Sequence, residues 1–135
     1  MMKYTYTALF SLEPGTKETY NVTFPDLPGC LTYGDTLSEA VENAEDVLNL
    51  WLYDKEEDGM AIPSASAPVD LKHLVGNNSL LSIVAADTEK YRQTVETKNV
   101  KKTLTIPMSL NKKAEEAHIN FSQTLQRALK MELNV

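Results

Sequence analysis

A chain of 135 residues, 42% hydrophobic and 24% charged, has room for one ordinary domain or for one small domain plus a minimal module. It contains no apolar run of about 18 residues or more and no basic-then-apolar leader, and its lone Cys30 excludes an internal disulfide, so a soluble cytoplasmic protein with no membrane contact is expected. The net charge of −6 is unevenly spread: residues 1–96 hold 6 Lys/Arg against 16 Asp/Glu (−10), while residues 97–135 hold 7 against 3 (+4), which suggests two partners of opposite charge.

Lys3 to Ser11, rich in Tyr, Thr and Phe, predicts a strand, and Glu13-Pro14-Gly15-Thr16 predicts a turn. Thr19 to Phe24 is a second strand, so an antiparallel hairpin is expected. Pro25-Asp26-Leu27-Pro28-Gly29 interrupts pairing because proline lacks a backbone donor, and Cys30 to Tyr33 is a short third strand. Thr36, with Glu39 three residues on, is a capping-box start for the strongest helix of the chain. Leu37, Ala40, Val41, Ala44, Val47, Leu48 and Trp51 recur at helical spacing as its apolar stripe, and Gly59 supplies a stop after Asp58. Residues 61–68 read as a loop and Asp70 to Gly76 as a turn of helix. Leu80 to Ala86, an apolar run between Asn77-Asn78 and Asp87, predicts a central strand. The fold class is α+β, a β-β-β-α-β sandwich over 1–87, with the polar stretch 88–98 as a linker and a separate module over 99–135.

That 37-residue module is too short to bury a core alone, so it is expected to fold as an oligomer. Along Val100 to Ile106 the period of two places Lys101, Thr103 and Thr105 on one face. Their donors and acceptors suit base edges, and two such strands from two chains would form a ribbon that fits the major groove of DNA. Pro107 ends the strand; Ser109 and Ser122 are candidate caps of two short helices, with His118 in the turn between them. The amides around Ser122 and Gln123 would hold a backbone phosphate. Leu104, Ile106, Leu110, Phe121, Leu125 and Leu129 would form the shared core of the dimer.

Lys101-x-Thr103-x-Thr105-Ile106-Pro107 followed by two short helices resembles the ribbon-helix-helix family of DNA-binding proteins over residues 99–135. The string Phe24-Pro25-Asp26-Leu27-Pro28-Gly29-Cys30, then Gly34-Asp35-Thr36-Leu37, Glu39-Ala40 and Asn43-Ala44, resembles the N-terminal domain of HicB antitoxins across most of residues 3–58, and more loosely to 96. The resemblance implies a truncated RNase H-like domain that masks the active site of a small basic HicA-type mRNA-cleaving toxin, joined to a DNA-binding unit that represses its own operon. The implied partners are that toxin, operator DNA and a second copy of the chain, with higher-order hetero-oligomers in reach. Asp26, Glu39, Glu42 and Asp46 are the candidate toxin-binding residues, since an acidic surface speeds capture of a basic partner.

Competing readings are a ligand-sensing ribbon-helix-helix transcription factor and a residual RNase H-like ribonuclease using Asp26, Asp35, Glu39 or Glu42 on magnesium. A turn, a helix cap and a solvated helix face account for those carboxylates, so no enzyme, no catalytic residue and no cofactor is expected. His73 and His118 have no Cys or His at ligand spacing, which argues against a metal. Cys30 and Trp51 read as core residues.

Overall fold

The computed structural model describes residues 2–135, which divide into two compact units, one reaching to Lys98 and the other spanning Asn99–Val135. The first unit is built on strands β1 (Lys3–Leu12), β2 (Tyr20–Thr23), β3 (Leu31–Gly34) and β4 (Ser79–Asp87), with helices α1 (Leu37–Glu57) and α2 (Thr88–Glu96). All four strands are antiparallel to their neighbours in the order β3-β2-β1-β4. The expected hairpin is present, with Phe10 opposite Val22 and Leu12 opposite Tyr20.

Alternation fixes which side of this sheet is covered. Tyr6, Ala8 and Phe10 of β1 share one face with Val22 of β2. All four are buried, and they form one cluster with Ala40, Ala44, Leu48 and Leu52 of α1. Phe24, Leu27, Cys30 and Ala86 complete that core. Ala40 can approach closely because Gly34 lies beneath it: a Cβ on Gly34 would run into the Ala40 backbone. The helix starts as expected, with Thr36 Oγ1 accepting from the Glu39 N–H at 3.2 Å, and it ends at Asp58 with Gly59 in the left-handed region at φ +64.

Three expectations for this unit need correction. The buried stripe of α1 is Ala40, Ala44, Leu48 and Leu52, whereas Leu37 and Val41 are exposed at 46% and 52%. That four-residue row is the one that packs on Tyr6, Ala8, Phe10 and Val22 of the sheet, and Leu37 and Val41 lie off it; Asn49 is buried as well, its Oδ1 accepting from the Asp87 N–H at 3.1 Å. Leu80 to Ala86 is not a central strand: β4 lies at an edge and pairs only with β1. Its apolar run reflects two partly covered faces, with Ile83 61% exposed, rather than burial on both sides.

The stretch 88–98 is not a linker either, since its first nine residues are α2. Asp87 accepts from the Lys90 N–H at 3.1 Å as a helix cap, and Tyr91 meets Tyr53 of α1 edge-on, ring centroids 5.5 Å apart. Arg92 lies over the Tyr53 ring at 4.8 Å and pairs with Glu56 and Glu57. A polar surface concealed one inward-facing row.

The second unit contains α3 (Met108–Glu116) and α4 (Phe121–Leu133), joined by a turn in which His118 takes φ +55. Both expected caps are displaced. Pro107 precedes α3 with no side-chain bond, and Asn120 rather than Ser122 caps α4, its Oδ1 accepting from the Gln123 N–H at 3.0 Å. Residues 100–106, read as a strand, are in no ladder within the single chain.

Candidate functional site

Two surfaces carry the residues singled out from the sequence. On α1, Glu39, Glu42 and Asp46 are exposed and follow one another at three- and four-residue steps, so they share one outward face. Leu37 and Val41 add exposed apolar area on the same first turns. Asp26 does not belong to this group. Its two carboxylate oxygens are engaged by Ser66, one by the N–H and one by the hydroxyl, both at 2.7 Å, so it fastens the 61–67 segment to the turn after β2. Tyr6 reaches the same segment by donating to the Pro63 carbonyl.

Beside the α1 face lies an open groove of about 620 Å³ lined by Asn43, Asp46, Asn49, Asp87, Lys90 and Tyr91. Its walls mix polar side chains with Val47 and Leu50 and open widely to solvent, unlike the enclosing pockets typical of small-molecule sites. Among the described residues no group of three or more His, Cys, Asp or Glu is placed to hold a metal ion. Cys30 is buried, which pushes its thiol up to about 11 and keeps it protonated at neutral pH.

A feature with no sequence signal ties the two ends of this unit together. Glu56 Oε2 accepts from the Tyr4 hydroxyl at 2.7 Å and from the Thr88 hydroxyl at 2.9 Å, with Arg92 3.5 Å from its other oxygen. Burial works to raise the Glu56 pKa, but the two hydroxyl donors and the guanidinium outweigh it, and the carboxyl titrates below its ordinary value. Tyr4, desolvated and donating to that carboxylate, is pushed up to about 12. Residues 32 and 52 positions from Glu56 along the chain meet there, a closeness that neither spacing nor periodicity encodes.

In the second unit Lys101, Thr103 and Thr105 are exposed on an extended segment. Ser122 lies inside the first turn of α4, its Oγ accepting from the Gln126 amide at 3.2 Å, and the Gln123 N–H is taken by Asn120. Of the six residues expected to form a core, none is buried: Leu104 is 64% exposed and Leu110 55%, and Ile106, Phe121 and Leu129 are likewise open. Leu125 is half-buried. Taken by itself, this unit has an amphipathic pattern whose large apolar residues are open.

Residues 8–129 match the family of HicB-like antitoxins of bacterial toxin–antitoxin systems. The chain belongs to that family. It is 32% identical to a chain of a toxin–antitoxin complex from Streptococcus pneumoniae, covering 97% of this chain and 99% of that one with a TM-score of 0.60. The Burkholderia pseudomallei antitoxin HicB shares the fold at 22% identity and TM-score 0.52, over 99% of this chain and 98% of that one. An uncharacterized 14.9 kDa protein of Haemophilus phage HP1 is 32% identical over 82 residues, 47% of this chain; the match spans 62% of that relative's length. Among the described residues no helix is long and apolar enough to cross a membrane.

Proposed function

We propose that this chain is the antitoxin of a toxin–antitoxin pair, masking the active site of a small basic HicA-type RNA-cleaving toxin with its first unit and repressing its own operon as a dimer through its second. The observation that carries the reading is the contrast between the units. One is acidic and buries its own core; the other is basic and leaves its large apolar residues open.

The toxin would meet the α1 face of Glu39, Glu42 and Asp46, where three carboxylates attract a basic surface and compete with RNA for it. Asp26 serves that face only indirectly, by fixing the 61–67 segment. The second unit would act as a ribbon-helix-helix module. Residues 100–106 of two chains would pair as a ribbon, covering Leu104, Ile106, Leu110, Phe121, Leu125 and Leu129 and turning Lys101, Thr103 and Thr105 to base edges. At the start of α4 the N–H groups of Phe121 and Ser122 would meet a phosphate, since Asn120 occupies that of Gln123. The first unit would be a truncated RNase H-like sheet and helix without the convergent carboxylates of a nuclease.

The decisive experiment adds the full chain to a purified HicA-type toxin in an RNA-cleavage assay. Stoichiometric inhibition is expected, and it should weaken when Glu39, Glu42 and Asp46 are replaced by Lys. Undiminished RNA cleavage at excess of the native chain would overturn the antitoxin reading.

A further inference from the structure

Strand β2 covers only part of β1. It pairs with Leu9 to Leu12, while β4 runs beside β1 from Lys3 to Ser11. Continuing the β1–β2 register past Leu9 and Thr23 would set Thr7 against Pro25, which has no N–H to give. The chain turns away there, the Leu27 N–H donating back to the Phe24 carbonyl at 2.9 Å. The first half of β1 therefore has a strand neighbour on its β4 side alone.

Alternation says which main-chain groups this leaves. The Thr88 N–H donates to the Met2 carbonyl at 3.0 Å and the Leu12 N–H to the Asn78 carbonyl at 2.8 Å, so the even-numbered residues of β1 bond toward β4. The N–H and C=O groups of Lys3 and Thr5 point the other way, and among the described residues no main-chain group meets them. Both residues are exposed. An opening of about 560 Å³ adjoins this edge, walled on its other side by Met60, Ile62 and Pro63. That second wall is held by side chains: the Tyr6 hydroxyl donates to the Pro63 carbonyl, and Ser66 is tied to Asp26. No main-chain hydrogen bond joins it to β1. The rings of Tyr4 and Tyr6, stacked with centroids 6.4 Å apart, lie on the helix-side face of the same edge.

We propose that this slot takes a short extended segment of a partner protein as an added strand, antiparallel to Lys3–Thr5, with an acidic residue set against Lys3. The main chain fixes the backbone of the occupant. Lys3 and Thr5 each offer an N–H and a C=O at alternate positions, which an extended chain can meet and a helix cannot. The side chains fix its sequence. Lys3 is the only charged residue lining the slot, and among the described residues it is in no ion pair, so the position opposite it calls for Asp or Glu. Opposite Thr5, on the same face, a threonine or valine fits. The residue between those two turns to the other face, onto Tyr4 and Tyr6 beside Ile62, and must be apolar. In the partner's chain direction the motif reads β-branched, apolar, acidic. Because Tyr4 reaches Glu56, the slot lies by the last turn of α1, about 25 Å along that helix from Glu39. It is a second surface, and it stands whether or not the α1 face masks a toxin.

The test uses the full chain and two capped hexapeptides, one with threonine, isoleucine and glutamate in its middle, the other with lysine in place of the glutamate. Amide exchange followed by NMR should be fast at Lys3 and Thr5 in the chain alone and should slow when the glutamate peptide is added. That peptide should bind the native chain about fivefold tighter than the lysine peptide, the upper range for an exposed ion pair, and Lys3→Glu should reverse the order. Thr5→Pro removes an outward donor that the β4 ladder does not use, and it should abolish binding of both peptides. Lys3 is exposed, so its charge reversal leaves the fold intact and keeps the test open where the proline variant fails to fold. Slow exchange at Lys3 and Thr5 in the chain alone would overturn the proposal. So would exchange there that neither peptide slows at millimolar concentration, or a preference that Lys3→Glu leaves unchanged.

Discussion

Glu56 draws together residues of β1 and α2 at the end of α1. Its carboxylate must be ionised to accept from both Tyr4 and Thr88 and to face Arg92. Because its pKa is lower in the folded chain than in the unfolded one, it contributes stability that is fully present above the unfolded value and lost as pH falls through the folded one. Glu56→Gln should therefore lower stability at neutral pH by about 2 kcal/mol, the range for hydrogen bonds to a charged group, and flatten the acid limb of a pH–denaturation profile. An unchanged acid limb would mean that other carboxylates govern acid unfolding. On the proposed ribbon-helix-helix reading of the second unit, Lys101→Ala with Thr103→Ala should cost operator binding about 2–6 kcal/mol at one to three per base contact and leave toxin binding untouched, measured by fluorescence anisotropy on both partners. At this scale the sequence was readable where the chemistry is local. Thr36 and Glu39 announce a cap within four residues. Asn120 displaced Ser122 because both are cap formers two residues apart, and only backbone geometry chooses between them. Asp26 was legible as a carboxylate in a turn but not as Ser66's acceptor, which requires knowing where a loop 40 residues later returns.

At the scale of elements, α1 illustrates how periodicity succeeds and misleads. The helix, its start and its end follow from pattern alone, yet the buried row leaves out Leu37 and Val41 and runs on to Leu52, because the sheet covers only the Ala40, Ala44, Leu48 and Leu52 row. Gly34→Ala would place a methyl against the backbone of Ala40, which cannot swing away as a side-chain tip can. We expect a loss of about 3 kcal/mol, at the upper end for overpacking, read as a shift in the urea midpoint. Leu48→Ala should cost a comparable 2–5 kcal/mol by leaving a cavity (roughly the range for leucine truncation in a core). Helix α2 escaped notice because its inward row of Thr88, Tyr91, Arg92 and Val95 is mostly polar, and Tyr91 and Arg92 act through a ring and a guanidinium rather than through aliphatic contact. Likewise β4 was assigned to the centre because a run of apolar residues does not say how many neighbours a strand has.

For the molecule as a whole, the charge division visible in composition corresponds to a structural one at Lys98. Operator affinity should fall steeply with salt, roughly 10³-fold or more between 50 and 200 mM for about six phosphate contacts, whereas Ile106→Asp should abolish it at any salt by preventing the arms from pairing. Gel shifts across a salt series separate the two effects. What composition could not supply was the fastening of the first unit. The Met2 N–H donates to the Thr88 hydroxyl at 3.2 Å, and the Thr88 N–H returns to the Met2 carbonyl, so the start of β1 and the start of α2 hold each other, with Glu56 at the end of α1 beneath both. Three segments far apart in sequence then share one fate when the native chain breathes. In native-state hydrogen exchange they should open as a single foldon, and the first turn of α2 should exchange with the sheet, not with the frayed ends to which its polar surface would consign it.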